Sequence, residues 1–327
     1  MVVAEELAMG PLVSLPRELQ LTILHNLSLV DLARIESIAP FMQRLTKHVM
    51  RSVRRLSLDL PNYRSWLREL TPFEQEKPSF LPHFTCIAND DGRHAGFRTC
   101  ATDAAMVYYS KRLIILDHLS VVSNGTRLSG VGIAALLNAH VIVEHIELEN
   151  CVCIDDASVL MFSMSTGLRF LQQLNLSMLP ITDRALALIS VAVPHLSGLK
   201  IEADSVTDKG LRAIAVGCGD LRVLSASWCE HITEYGISAI IEQCDLVNLS
   251  FEGAFNVDLD EVLNQLMEER KNLMIGLCVS GLTDERARNF AVSQEDLKHI
   301  FCQHSTISVS TQEFLKKRGV VFTCFDA

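Results

Sequence analysis

A strand-and-helix pattern recurs along this chain with a step of 25 to 27 residues. That step constrains the fold more than any other feature, because units of this length stack instead of folding alone. From about residue 143 each unit runs in one order. Two apolar residues spaced by one are followed by a short link, an Ile-Thr-Asp-like triplet and apolar residues three apart. Ile146 and Leu148 lead through Cys151 to Ile154-Asp155-Asp156, then Val159 and Phe162. Leu174 and Leu176 lead to Ile181-Thr182-Asp183, then Leu186 and Ile189. Leu199 and Ile201 lead to Val206-Thr207-Asp208, then Leu211 and Ile214. Leu224 and Ala226 lead through Cys229 to Ile232-Thr233-Glu234, then Ile237 and Ile240. The acids closing the triplets stand at 156, 183, 208 and 234, giving steps of 27, 25 and 26.

The pattern has a direct physical reading. Apolar residues two apart share one face of a strand. Apolar residues three and four apart share one face of a helix. Thr or Asp between them caps the helix by accepting a hydrogen bond from an orphan backbone N–H. Each unit is therefore strand, turn, helix, and it buries its apolar face only against a neighbouring copy. An ordinary α/β domain does not keep such a step. Weaker copies extend the series: Leu249 and Phe251 with Val257, Leu273 and Ile275 with Leu282-Thr283-Asp284, and Leu119 and Val121 with Leu128-Ser129-Gly130. Ala101-Thr102-Asp103 closes an earlier unit, and 320–325 reads as a final strand. Pro72, Pro78 and Pro82 make 71–100 a loop or an irregular early repeat, since proline interrupts both helix and central strand.

Cysteine stands at one turn position of two units, Cys151 and Cys229. The repeat thereby resembles the cysteine-containing class of leucine-rich repeats, with Leu179, Asp204 and Ala254 at that position in other units. The resemblance implies a right-handed α/β solenoid.

Composition narrows the function. The net charge of −10 disfavours binding to nucleic-acid phosphates. Acids at Glu5 and Glu6 replace the basic start of a signal peptide, and the apolar run from Val131 to Val143 is too short to span a bilayer. The expectation is a reducing compartment, cytoplasmic or nuclear, with all ten cysteines as thiols. The Asn-x-Ser/Thr sequences at Asn26, Asn124, Asn175 and Asn248 are then chance matches. No membrane and no nucleic-acid partner is expected.

Residues 14–55 depart from the repeat, after a tail at 1–13. Ser14 and Pro16 start a helix carrying Leu19, Ile23 and Leu27 four apart. Ser28 and Asp31 cap a second, with Leu32, Ile35 and Ile38, which Pro40 closes. A third places Met42, Leu45, Val49 and Val53 on one side and Arg44, Lys47, His48, Arg51 and Arg55 on the other. The stretch opening Ser14-Leu15-Pro16-Arg17-Glu18-Leu19 resembles an F-box. An F-box followed by such repeats resembles the F-box/leucine-rich-repeat (FBXL) family. The matching residues are Leu15, Pro16, Glu18, Ile23, Leu24, Leu27, Asp31, Leu32, Ile35 and Ile38, whereas Ala39-Pro40-Phe41-Met42 replaces a Cys-x-x-Trp-like part. The resemblance implies that Leu15, Pro16, Glu18, Ile23, Leu27, Leu32 and Ile35 meet the Skp adaptor, and through it cullin. It further implies that the repeats hold a protein substrate for ubiquitination. The alternative is that three small helices merely cap the first repeat.

The division is then 14–55 F-box-like helices, 56–118 irregular early repeats and 119–327 repeats ending in a cap strand. No phosphate loop, nucleophile elbow or zinc helix is present, and Gly130-Val131-Gly132 is too isolated for a dinucleotide site. Cys151, Cys153 and His145 imitate a metal site, but a buried repeat position explains Cys151 better. No cofactor or metal is expected, and no enzymatic activity. Two classes remain open: a ubiquitin-ligase substrate receptor, and a binding scaffold or inhibitor unconnected with ubiquitin. In either, the strand residues that alternate with the buried pairs face a concave binding surface. These include Glu147, Glu149, Asn175, Lys200, Glu202, Ser225 and Glu252, followed at the end of one strand by Trp228. Trp228 is either an anchor for a partner or a cover over neighbouring repeats. The acids favour a partner segment with Lys or Arg.

Overall fold

The computed structural model describes residues 15–25, 27, 32, 35–36, 40–51, 54–59, 102–122, 128–139, 142–268, 274–303 and 307–325. Two helices open it, α1 (Arg17–His25) and α2 (Pro40–Met50). Then strands and helices alternate: β1 (Arg55–Asp59), α3 (Asp103–Ser110), β2 (His118–Val122), α4 (Gly130–Ala139), β3 (His145–Glu149), α5 (Asp156–Ser163), β4 (Gln173–Ser177) and α6 (Asp183–Ala192). The series continues with β5 (Gly198–Glu202), α7 (Asp208–Gly217), β6 (Val223–Ala226), α8 (Glu234–Gln243), β7 (Asn248–Ser250), α9 (Leu259–Glu268) and β8 (Gly276–Ser280). It closes with α10 (Asp284–Ser293), β9 (His299–Gln303), α11 (Val309–Lys317) and β10 (Val321–Phe325).

The ten described strands form one sheet in chain order, parallel throughout, and successive helices of the repeats pack on one another. This is a strand–turn–helix repeat solenoid. Its register aligns equivalent residues. Leu56, Leu119, Ile146, Leu174, Leu199, Leu224, Leu249, Leu277 and Ile300 pair in one continuous row, all fully buried. Burying each such side chain stabilises by about 1.5–3 kcal/mol. The row explains why a single unit does not fold alone.

The triplet does two jobs at once. Its threonine caps its own helix: the Oγ1 of Thr182, Thr207 and Thr233 accepts from the backbone N–H of Arg184, Lys209 and Tyr235. Its acid reaches the next unit. Asp156 accepts from the Thr182 N–H and Oγ1 at 2.9 and 2.6 Å. Asp183 accepts from the Thr207 N–H and Oγ1, both at 2.7 Å, and from Gly210 N–H at 3.0 Å. Asp208 accepts from the Thr233 N–H and Oγ1 at 2.8 and 2.7 Å. Asp103 and Ser129 repeat the arrangement at the start, and Asp284 and Ser308 near the end. The sequence reading assigned the acid to its own helix cap. The structure shows a ladder in which each acid satisfies the orphan donors of the following helix. Gly210 lies so close that a Cβ there would stand 2.7 Å from Asp183 Oδ1.

Several expectations are corrected. Arg55 belongs to β1, where Leu56 pairs with Leu119 of β2, and not to the third helix. The strand expected at Leu273 and Ile275 is β8, four residues later, with Leu277 and Val279 inside and Ile275 outside. Both are pairs of apolar residues two apart, and only register with β7 chooses between them. A whole unit, β9 with α11, went unread because His299, Phe301 and Gln303 interrupt an ordinary alternation and no acid follows Ser308. Pro40 opens α2 instead of merely closing the helix before it. On α2, Met42, Leu45 and Val49 are buried while Arg44, Lys47 and His48 are exposed, as the amphipathic pattern predicts. Of the second helix, Leu32, Ile35 and Glu36 are described, all helical. The tail at 1–13, Ser14, Ser28, Asp31, Ile38, Val53, Leu273 and the segment 71–100 lie outside the described residues.

Candidate functional site

The polar residues that alternate with the core row are less accessible than alternation alone implies. Glu147, Glu149, Asn175, Ser225 and Asn248 are buried, and Lys200, Glu202 and Glu252 are half-buried. Parallel strands lie about 4.8 Å apart, so in-register side chains shade one another and bond sideways. Ser120 Oγ donates to Glu147 Oε2 at 2.7 Å. Asn175 Nδ2 donates to Glu149 Oε2 at 3.5 Å, while Asn175 Oδ1 accepts from the Ser177 N–H and Oγ. The imidazoles of His118 and His145 lie 5.5 Å apart on adjacent strands. On the sheet face polar side chains thus bond sideways between and along strands, and only the half-buried ones offer area to a partner.

The edge of the sheet where strands turn toward helices is more open. There the backbone adopts the left-handed region at equivalent places: Asn150 (φ 53°), Met178 (φ 57°), Trp228 (φ 56°), Gly253 (φ 70°) and Gly281 (φ 74°). The conformation aims an N–H at the next unit. Asn150 donates to the Ser177 carbonyl, Met178 to Glu202, Trp228 to Glu252 and Gly281 to Gln303, at 2.7–3.0 Å. Glycine takes this conformation without steric cost, whereas a side chain there costs roughly 1–2 kcal/mol. Trp228 is thus a large aromatic at a position that glycine would fill more easily.

The tryptophan ring lies over the Gly253 backbone: a Cβ at Gly253 would stand 2.6 Å from Trp228 Cδ2. Phe255 meets the ring edge-on, with centroids 6.2 Å apart. Trp228 is 41% exposed and Phe255 68%. Beside them is a cavity of about 310 Å³ lined by Phe251, Ala254, Phe255, Val257, Leu259, Ser280 and Gly281. Sequence reasoning singled out Trp228 but missed Phe255 and the cavity. An aromatic between Ala254 and Asn256 in a link was the one available signal.

At the other end, the expected adaptor-binding residues divide. Pro16, Glu18 and Ile23 are exposed, Leu15, Leu27 and Ile35 half-buried, and Leu32 fully buried with Leu24. Leu32 therefore serves the core and presents nothing to a partner. Glu36, from the same segment, is buried against α3. It accepts from Tyr108 Oη and, at 2.7 Å, from Arg112 Nε, and the Arg112 guanidinium sits 3.7 Å over the Tyr108 ring. Burial works to raise the Glu36 carboxyl, but hydrogen bonds from Arg112 and Tyr108 and the charges of Arg112 and Lys47 outweigh it and hold it below the usual carboxylate range. The Tyr108 hydroxyl is pushed up by its burial and by donating to Glu36.

The thiols sort by position. Cys151 and Cys229 are fully buried at the repeat's turn, Cys151 Sγ donating to the Val121 carbonyl, while Cys153 is exposed. Burial pushes Cys218 up to about 12 and Cys229 up to about 11. No group of three or more His, Cys, Asp or Glu able to hold a metal occurs among the described residues, and none of the described helices is long and apolar enough to cross a membrane.

No protein-family model matches the chain. Among solved structures it is similar to a chain of the yeast Rad7–Elc1 complex, with 12% identity and a TM-score of 0.47, covering 68% of this chain and 64% of that one. It is also similar to a protein from Bacteroides fragilis, with 14% identity and a TM-score of 0.37, covering 68% of this chain and 60% of that one. The match spans less than two-thirds of the length of either.

Proposed function

We propose that this chain is the substrate-recognition subunit of a Skp–Cullin–F-box ubiquitin ligase, its N-terminal helices binding the Skp adaptor and its leucine-rich repeats holding a target protein. The observation that carries the reading is the two-sided character of α1. Leu24 packs into the core, while Leu19 and Ile23 stand 51% and 42% exposed immediately after the Leu15-Pro16-Arg17-Glu18 opening. A helix that only capped the first repeat would have no use for an apolar outer side. In this reading the chain catalyses nothing. It positions a target for transfer by other subunits, in the cytoplasm or nucleus, without a cofactor.

The second reading, a repeat scaffold or inhibitor unconnected with ubiquitin, draws on Leu24 and Leu32, whose burial is what a cap requires. One experiment separates them. Purified full-length protein is titrated with the Skp adaptor, beside the Ile23→Glu variant. The ligase reading expects micromolar or tighter binding, lost in the variant with its thermal midpoint unchanged, because Ile23 is exposed. Wild-type protein that ignores the adaptor leaves the scaffold reading standing.

A further inference from the structure

We propose that the aromatic edge formed by Trp228 and Phe255, with the cavity beside it, docks a peptide segment of a partner protein through one bulky apolar side chain flanked by lysine or arginine. The proposal rests on the reading of the repeats as the target-holding part of the chain, and it is independent of the adaptor. It moves the contact from the buried strand face to the turn edge.

Four observations converge. Trp228 holds a left-handed backbone position that glycine occupies in the units around Gly253 and Gly281, so its ring is there at a conformational cost. Gly253 lacks the Cβ that would collide with that ring, which lets the indole lie flat as a platform. Phe255 stands edge-on to the platform, mostly exposed, and also lines the cavity. At about 310 Å³ the cavity falls at the small end of ligand pockets, roughly 300–1,000 Å³. Its lining is mainly apolar, with Ser280 and Gly281 at one side, which suits an inserted side chain better than a polar small molecule.

Charge selects the occupant. The two links that build the edge, 228–234 and 251–261, carry Glu230, Glu234, Glu252, Asp258, Asp260 and Glu261 and no lysine or arginine. Arg286 faces this set from α10 and is ion-paired with Asp260. Glu234 accepts from the Asp258 N–H and Asp258 from the Asp260 and Glu261 N–H groups, so these carboxylates are held in place around the apolar centre. An apolar anchor in an acidic surround is complementary to a basic segment with one large hydrophobic residue, and it repels nucleic acid. Tryptophan at the centre of such a contact fits the residue types that dominate binding energy.

The test uses the full-length chain and fluorescein-labelled heptapeptides Gly-Lys-Arg-Xaa-Lys-Arg-Gly, with Phe, Leu or Ala at Xaa, read by fluorescence anisotropy. The Phe and Leu peptides are expected to bind in the micromolar range and the Ala peptide about tenfold or more weaker. Trp228→Ala and Phe255→Ala should each weaken the Phe peptide by about tenfold or more. Phe255→Ala keeps the test sound if the tryptophan variant misfolds, because Phe255 is largely outside the core. The double variant Glu230→Lys/Glu261→Lys should weaken all three peptides. Equal binding of the Phe and Ala peptides, no saturation below millimolar, or indifference to Phe255→Ala overturns the proposal. So does a homodimer, seen by light scattering, that Phe255→Ala dissolves, since a second copy would then be the occupant. Adaptor titration of the same preparations distinguishes the two readings. Peptide binding without adaptor binding removes the ligase, and adaptor binding without peptide binding removes this site.

Discussion

The repeats and the N-terminal helices are held by different kinds of contact. In the repeats, the capping threonine of one unit meets the acid of the unit before it. Thr182 with Asp156, Thr207 with Asp183 and Thr233 with Asp208 are separated by 26, 24 and 25 residues and form the same bond three times. Beyond its share of the apolar core through Leu24 and Leu32, the N-terminal segment is tied on by Glu36, whose partners Tyr108 and Arg112 are 72 and 76 residues distant and have no copy elsewhere in the described residues. A periodic contact spreads strain along a row in which losing one bond weakens two neighbours. A polar tie without copies lets the attached segment open before the solenoid does.

The largest effect is expected inside the periodic part. Leu199→Ala removes a fully buried side chain from the middle of the core row and should cost about 2–5 kcal/mol in urea unfolding. A cost below about 1 kcal/mol would mean that the row is not the cooperative unit. Asp183→Ala comes next. It strands the Thr207 N–H, the Thr207 hydroxyl and the Gly210 N–H, and should cost about 1–3 kcal/mol. Hydrogen exchange should show the loss in α6 and α7 first, and uniform loss would argue against neighbour-limited coupling.

Glu36→Gln is expected to act on the other side of the comparison. It should loosen residues 15–50 by about 1–2 kcal/mol through loss of charge-assisted bonds, with exchange protection in α6 to α8 unchanged. Because the Glu36 carboxyl is held below its ordinary value, the docking it supports is complete above the ordinary carboxylate range and fades as the pH falls through the lowered value. Limited proteolysis against pH should therefore cut the N-terminal segment before the repeats, and cutting of both together would refute its independence. The smallest effect belongs to Cys153→Ala, within about 0.5 kcal/mol for an exposed side chain. Alkylation of the native protein should label Cys153 well before Cys218 and Cys229, whose thiols burial keeps protonated.

How far the sequence could be read follows the same division. Leu174, Thr182, Asp183 and Leu186 recur with fixed spacing, so strand, cap and helix were visible together, and the register of the sheet followed from stacking equivalents. The reading failed where the copy was imperfect, at Ile275, which lies outside β8, and at Ile300 and Cys302, whose unit lacks the acid. The strand-face residues were correctly ordered, but their burial was invisible, because shading by in-register neighbours depends on strand separation and not on residue type. Trp228 was noticeable as an oddity, and Phe255 was not.

The amino-acid sequence by itself determined the repeating unit, its strand-to-helix order and the row of apolar side chains, because helix and strand periods and capping chemistry are local properties carried by residues a few positions apart. Tertiary structure alone decided that each acid serves the next helix, that Leu32 turns inward while Ile23 turns outward, and that Gly253 leaves room for the Trp228 ring beside a cavity. Those outcomes depend on which units lie in contact and how closely their backbones approach, and spacing along one chain carries no measure of that distance.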